Sequence, residues 1–120
     1  MKYELTQEFY FEAAHTLHRE IETDSSLRIH GHTYHADVTV AGMPDPVSGM
    51  LIDLGHFRAA LAGVREQLDH RLLDEVPGLT MPTLEGLCAF IATSLQPALP
   101  GLVRVTVARR ASGDRCTLHL

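Results

Sequence analysis

The stretch Ile29-His30-Gly31-His32-Thr33-Tyr34-His35-Ala36-Asp37-Val38-Thr39-Val40 constrains this chain more than any other. Thr33, Tyr34, Val38, Thr39 and Val40 suit a pleated sheet, so it reads as a strand opening near His30. Alternation along a strand sends His30 and His32 to the same face. Gly31 between them carries no side chain and lets a backbone or a ligand come close. Two neutral imidazoles on one rigid strand make half of a metal site. A third would complete the protein part of a catalytic zinc site and leave one coordination position open. His15, in Phe11-Glu12-Ala13-Ala14-His15, is the best candidate for it. On spacing alone, the same histidines read as well as ordinary polar residues at a strand end.

Periodicity sorts the rest of the chain. Residues 3–14 alternate, with Tyr3, Leu5, Gln7, Phe9 and Phe11 on one face and Glu4, Thr6, Glu8, Tyr10 and Glu12 on the other. One face is apolar and the other acidic, which predicts a sheet solvated on one side. Thr16–Arg28 reads as a long polar loop, a kind that often carries function. Residues 32–42 form the second strand, and Gly42–Gly49 is dense in turn residues. Met50–Asp53 reads as a short extended piece, with Asp53 able to cap a helix. From Leu54 to Leu68 the apolar spacing becomes helical, through Leu54, Phe57, Leu61, Val64 and Leu68. Thr83 can cap a second helix whose buried face is Leu84, Leu87, Cys88, Ile91 and Leu95, with Glu85 in its first turn. Leu102–Ala108 is a third strand, Ala111–Asp114 a hairpin turn, and Arg115–Leu120 a fourth strand. The order ββααββ predicts an α+β fold: a four-stranded antiparallel sheet with both helices on one face. At 120 residues the chain reads as one domain, 1–120.

Composition excludes several classes. A net charge of −5 argues against a nucleic-acid partner, which needs a basic surface. No apolar run is long enough for a membrane span. The N-terminus Met1-Lys2-Tyr3-Glu4-Leu5 lacks the apolar core of a secretory leader. Cys88 and Cys116 form no Cys-x-x-Cys pair and read as buried or incidental thiols. Together these point to a cytoplasmic protein.

Five pieces carry a resemblance: Phe11-Glu12-Ala13-Ala14-His15, His30-Gly31-His32, Gly49-Met50-Leu51-Ile52-Asp53, Leu68-Asp69-His70-Arg71-Leu72-Leu73-Asp74 and Pro82-Thr83-Leu84-Glu85. In order and spacing the sequence resembles the 6-pyruvoyltetrahydropterin synthase family, including the bacterial 6-carboxytetrahydropterin synthases of the queuosine pathway. The resemblance implies a T-fold assembled into a barrel-like homo-oligomer, a trimer or a hexamer, with active sites at subunit interfaces. It implies a zinc-dependent lyase acting on the side chain of 7,8-dihydroneopterin triphosphate or a close, pterin-like analogue. His15, His30 and His32 match the family's zinc ligands, and Asp69-His70 its catalytic pair. A carboxylate on one ring nitrogen would make the other a better base. By itself, that pair also reads as a helix C-terminus bearing a favourable cation. Glu85, with Thr83 beside it, matches the acid that holds the pterin. The two residues read equally as a capped helix start.

Two positions depart from the family pattern. The family's cysteine lies four residues before the first histidine of His-Gly-His, and here that residue is Ser26. A thiol is readily poised as a thiolate, whereas a serine hydroxyl needs a neighbouring base. His70 could serve, or Glu20, Glu22 or Asp24 could take the proton instead. The second departure is on the third strand, where the family's pterin-anchoring glutamate is replaced by Arg109. A guanidinium only donates hydrogen bonds. It could face an acceptor edge, pair with Glu85 or bind an anion. Two alternatives therefore stand beside the lyase: a paralogue with a changed substrate, and a non-catalytic metal- or pterin-binding protein.

Overall fold

The computed structural model describes residues 1–16 and 27–120. Its first strand, β1 (Tyr3–His15), pairs antiparallel with β2 (His30–Gly42), from Tyr3 opposite Gly42 to His15 opposite His30. Both strands reach further than their alternation implied, so His15 and His30 stand inside the sheet. Phe11, Ala13 and His15 share the buried face with Tyr34, Ala36, Val38 and Val40.

The first helix, α1 (Leu54–Leu68), begins where Asp53 caps it, its carboxylate accepting from Gly55 N at 2.7 Å and His56 N at 3.3 Å. Phe57, Leu61, Val64 and Leu68 are its buried stripe. Met50–Asp53, expected to be extended, instead bends into this cap. After α1 come the two-residue strand β3 (Arg71–Leu72) and a single 3₁₀ turn, Leu73–Glu75. In the second helix, α2 (Leu84–Leu95), Thr83 Oγ1 accepts from Gly86 N at 3.0 Å. Leu87, Cys88, Ile91 and Leu95 are buried there as expected, Leu84 at the first turn is only half-buried, and Phe90 and Ala92 join the buried set. The chain closes with β4 (Leu102–Arg109) and β5 (Asp114–His119), joined by a turn in which Gly113 has φ near 80°.

The sheet order is β3-β1-β2-β4-β5. Four long strands are antiparallel, as expected, and β3 adds a fifth, parallel to β1 at Ala13 and Ala14. Two residues carry no period that could be read beforehand. Tertiary bonds just before it bring β3 to the edge of β1: His70 N donates to Glu12 O at 2.6 Å, and Glu12 N donates to Asp69 Oδ1 at 2.9 Å.

Both helices cover the same sheet face. The opposite face carries cross-strand polar pairs, among them Thr6–Thr39, Glu4–Arg104 and Glu8–Arg110. The molecule is long for its mass, 57 × 23 × 22 Å. The helices leave the open end of the β1–β2 ladder partly bare, so Leu5 and Phe9 are only half-buried. Among the described residues no strand pairs with the outer edge of β1 from Tyr3 to Phe9, nor with that of β5.

Candidate metal centre and its surroundings

Strand register assembles the three histidines. His15 ends β1 directly opposite His30, and Ala13 faces His32, so His32 lies diagonal to His15 on the same face. Ring centroids are 4.6 Å apart for His15–His30 and 5.0 Å for each of the other two pairs. One ligating atom from each ring lies within 4.8 Å of the others.

Hydrogen bonds decide which nitrogens are free. His15 Nδ1 bonds Pro82 O at 2.8 Å, and His30 Nδ1 bonds Arg28 O at 2.7 Å. A carbonyl only accepts, so in both rings Nδ1 carries the proton and Nε2 keeps its lone pair. The Nε2 atoms of His15 and His32 are buried and have no hydrogen-bond partner among the described residues. Burial, reinforced by the neighbouring His15, pushes His32 down to about 4. Burial also lowers His15, against the bond to Pro82, which favours its charged form. Near neutral pH these two rings are unprotonated. Converging neutral imidazole nitrogens, buried and otherwise unsatisfied, fit a metal ion better than any other use.

The chain after His15 is tied down. Thr16 N and Oγ1 donate to the Asp74 carboxylate at 2.9 and 2.6 Å. Burial works against the Asp74 charge, but the bonds from Thr16 outweigh it and lower its pKa. Below the triad Tyr34 is stacked on Phe11, ring centroids 5.1 Å apart, and stands edge-on to His15 and His32. Burial pushes its hydroxyl up to about 12.

Glu85 and Arg109 line one groove of about 580 Å³ between the start of α2 and the β4–β5 hairpin. They do not pair with each other. Arg109 donates to Asp114 at 3.1 Å. Thr83 points its hydroxyl into the helix cap and is not among the groove's lining residues. The Pro82 carbonyl joins this segment to the triad through His15.

Asp69 and His70 form the expected pair, with Asp69 Oδ2 3.0 Å from His70 Nδ1. The Glu12 N–H, with help from Arg65 and His70, holds the Asp69 carboxyl below its usual value. Ionised Asp69 fixes the proton on Nδ1 and leaves Nε2 facing outward. That Nε2 lies 4.0 Å from Glu12 Oε2, and the ring is 77 % exposed. Glu12 belongs to the polar face, so within one chain the pair stands on the opposite side of β1 from His15. A groove of about 560 Å³ lies beside it, lined by Glu12, Gly31, His32, Thr33, His70 and Arg71, so the strand around His32 and the His70 ring border the same opening. Ser26, like Glu20, Glu22 and Asp24, lies outside the described residues.

Two participants were not read from the sequence. Tyr34 could have been, because it follows His32 by two residues and shares its face. Asp74 stands in a quoted motif, but its role depends on a fold-level contact with Thr16.

A long antiparallel sheet backed by two helices, with a histidine triad at its strand ends, defines a class of small metal-ready α+β proteins. The sequence model for 6-pyruvoyl tetrahydropterin synthase matches residues 4–119, and the chain belongs to that family. It is 38 % identical over 108 residues to the 6-carboxy-5,6,7,8-tetrahydropterin synthase of Synechocystis sp., covering 84 % of this chain and 81 % of that one. It is 29 % identical over 105 residues to the dihydroneopterin monophosphate aldolase of Pyrococcus furiosus, covering 88 % and 85 %. The structure of Caenorhabditis elegans 6-pyruvoyl tetrahydropterin synthase superposes with a TM-score of 0.85, over 100 % of this chain and 96 % of that one, at 26 % identity.

Proposed function

We propose that this chain is a zinc-dependent lyase of the pterin synthase type, acting on the side chain of 7,8-dihydroneopterin triphosphate or a close analogue. The observation that carries the reading is the triad: His15, His30 and His32 would hold the ion through nitrogens the fold leaves free. Zinc there would supply Lewis acidity toward oxygens of the substrate side chain. His70 Nε2 would take a proton from the acidified side-chain carbon and return one, while Asp69 holds the ring and stabilises its charged form. Glu85 would accept from the donor edge of the pterin.

Within one chain His70 Nε2 faces Glu12 on the polar face of β1, while the three imidazoles converge on the core face. The reading therefore includes a homo-oligomer in which Asp69 and His70 of one copy face the triad of a neighbour. Two free strand edges, a 57 Å length and a half-covered apolar face support association. Zinc-loaded protein is mixed with 7,8-dihydroneopterin triphosphate and its products are followed by mass. Turnover that His70→Ala abolishes supports the reading. Turnover no higher than that of His70→Ala sinks it.

A second reading is a paralogue with a changed substrate. Arg109 favours it, since a guanidinium on the groove wall cannot receive the pterin amino group. The relatives named above include one synthase and one aldolase, so similar chains carry more than one named activity.

A further inference from the structure

Five buried side-chain polar atoms lack a hydrogen-bond partner among the described residues. His35 Nδ1 belongs to the polar face. The other four, His15 Nε2, His32 Nε2, Tyr34 Oη and Arg109 Nε, share the core face at one end of the sheet. The two imidazole nitrogens are accounted for by the proposed ion. Tyr34 and Arg109 are not.

Register makes these two neighbours. His35 faces Ala108 and Ala36 faces Val107, so the next step of the ladder sets Arg109 opposite Tyr34. Both side chains then lie on the core face, in the row directly below His32. The positive charge of Arg109 bears on Tyr34, His15 and His32 alike. Tyr34 is 1 % exposed and cannot turn its hydroxyl to solvent. Arg109 spends Nη2 on Asp114, which leaves its Nε–H pointing at nothing. Two buried, unpartnered donors on facing positions of adjacent strands, one of them cationic, call for an acceptor that carries negative charge.

We propose that Tyr34 Oη and Arg109 Nε form an oxyanion subsite beside the histidine triad, so that the molecule bound there presents a carboxylate- or enolate-type oxygen at that point. This deepens the metal-site reading above and rests on it. The subsite divides recognition between two walls. Glu85 remains to receive hydrogens, and Tyr34 with Arg109 supply them. A substrate with an acid or enolisable carbonyl group then fits better than one offering only N–H donors.

Oxalate, a small planar dianion, is the probe. Its binding is followed by calorimetry in zinc-loaded and in metal-free protein, and zinc is assayed before and after each titration. Tyr34→Phe removes one oxygen and keeps the ring on Phe11, and a thermal melt checks its fold. The expected result is that Tyr34→Phe and Arg109→Gln each bind oxalate roughly tenfold or more weakly than wild type, with zinc content unchanged. Equal affinity in Tyr34→Phe and wild type, or no oxalate binding by wild type, overturns the subsite. A wild type that takes up no zinc overturns the metal reading separately, and the subsite is then judged on the metal-free titrations.

Discussion

His15 Nδ1 donates to the carbonyl oxygen of Pro82 across 2.8 Å, and that bond ties the end of β1 to the start of α2. It orients a ligating ring from behind, with a backbone acceptor that no side-chain substitution removes. The triad is therefore held by contacts from three separate parts of the chain: Pro82, Arg28 and the Thr16–Asp74 clasp.

Metal-free protein should lose stability in acid. His15 and His32 bind protons less readily folded than unfolded, where their pKa is near 6.5. Between about 6.5 and 4 the unfolded chain holds more protons, so stability falls as pH drops through that window and is flat above it. Zinc competes for the same nitrogens, so the loaded protein should melt higher at pH 7, and its advantage should shrink toward pH 5. Melting curves across this range, with and without a chelator, check both trends.

Asp74→Ala should weaken zinc binding roughly tenfold while leaving the three ligands in place. It removes both bonds that fix Thr16 beside His15. Competition against a chromophoric chelator measures the loss. Unchanged affinity would show that His15 needs no such support.

His70 sits at φ 57°, the only non-glycine residue at positive φ among those described. A Cβ there costs about 1 kcal/mol or more. His70→Gly should therefore be more stable to urea than His70→Ala by about 1 kcal/mol, and both should lose roughly 10²–10⁴ in turnover. Strain at a residue of this kind fits a functional position better than a structural one.

Mixed oligomers should recover activity. His15→Ala lacks a triad ligand and His70→Ala lacks the base, and the two defects lie on opposite faces of one chain. If neighbouring copies complete the site, co-refolding the two inactive variants restores a fraction of wild-type turnover. If each chain works alone, the mixture stays dead.

Gly86→Ala should destabilise the fold by about 1–3 kcal/mol. A methyl group there would stand 1.8 Å from the carbonyl oxygen of Met81, which is backbone and cannot swing away. The start of α2 would shift and take Pro82 with it, so zinc affinity should fall alongside the urea midpoint.

Patterned segments were legible before any coordinates. Leu54–Leu68 and Leu84–Leu95 announced themselves by helical spacing and by the Asp53 and Thr83 caps, because amphipathic burial and capping are local chemistry. His30 and His32 were readable as a pair because alternation along a strand is geometrically forced. Their junction with His15 was a reading from motif order, and the register of β1 against β2 made it a cluster. β3 was not legible, since only its pairing with Ala13 and Ala14 of β1 defines it. Nor was Arg109's partner, where Asp114 across the hairpin prevails over Glu85.

Alone, the order of residues determined what each stretch would become: which faces are apolar, where helices start, and which side chains can ligate or carry protons. Those properties depend on neighbours a few positions away. Only the tertiary structure decided who meets whom. It put the Asp69–His70 pair and the triad on opposite faces of β1, and set Tyr34 beside Arg109. Such juxtapositions follow from strand register and helix docking, which the whole core determines together through contacts between residues far apart in the chain.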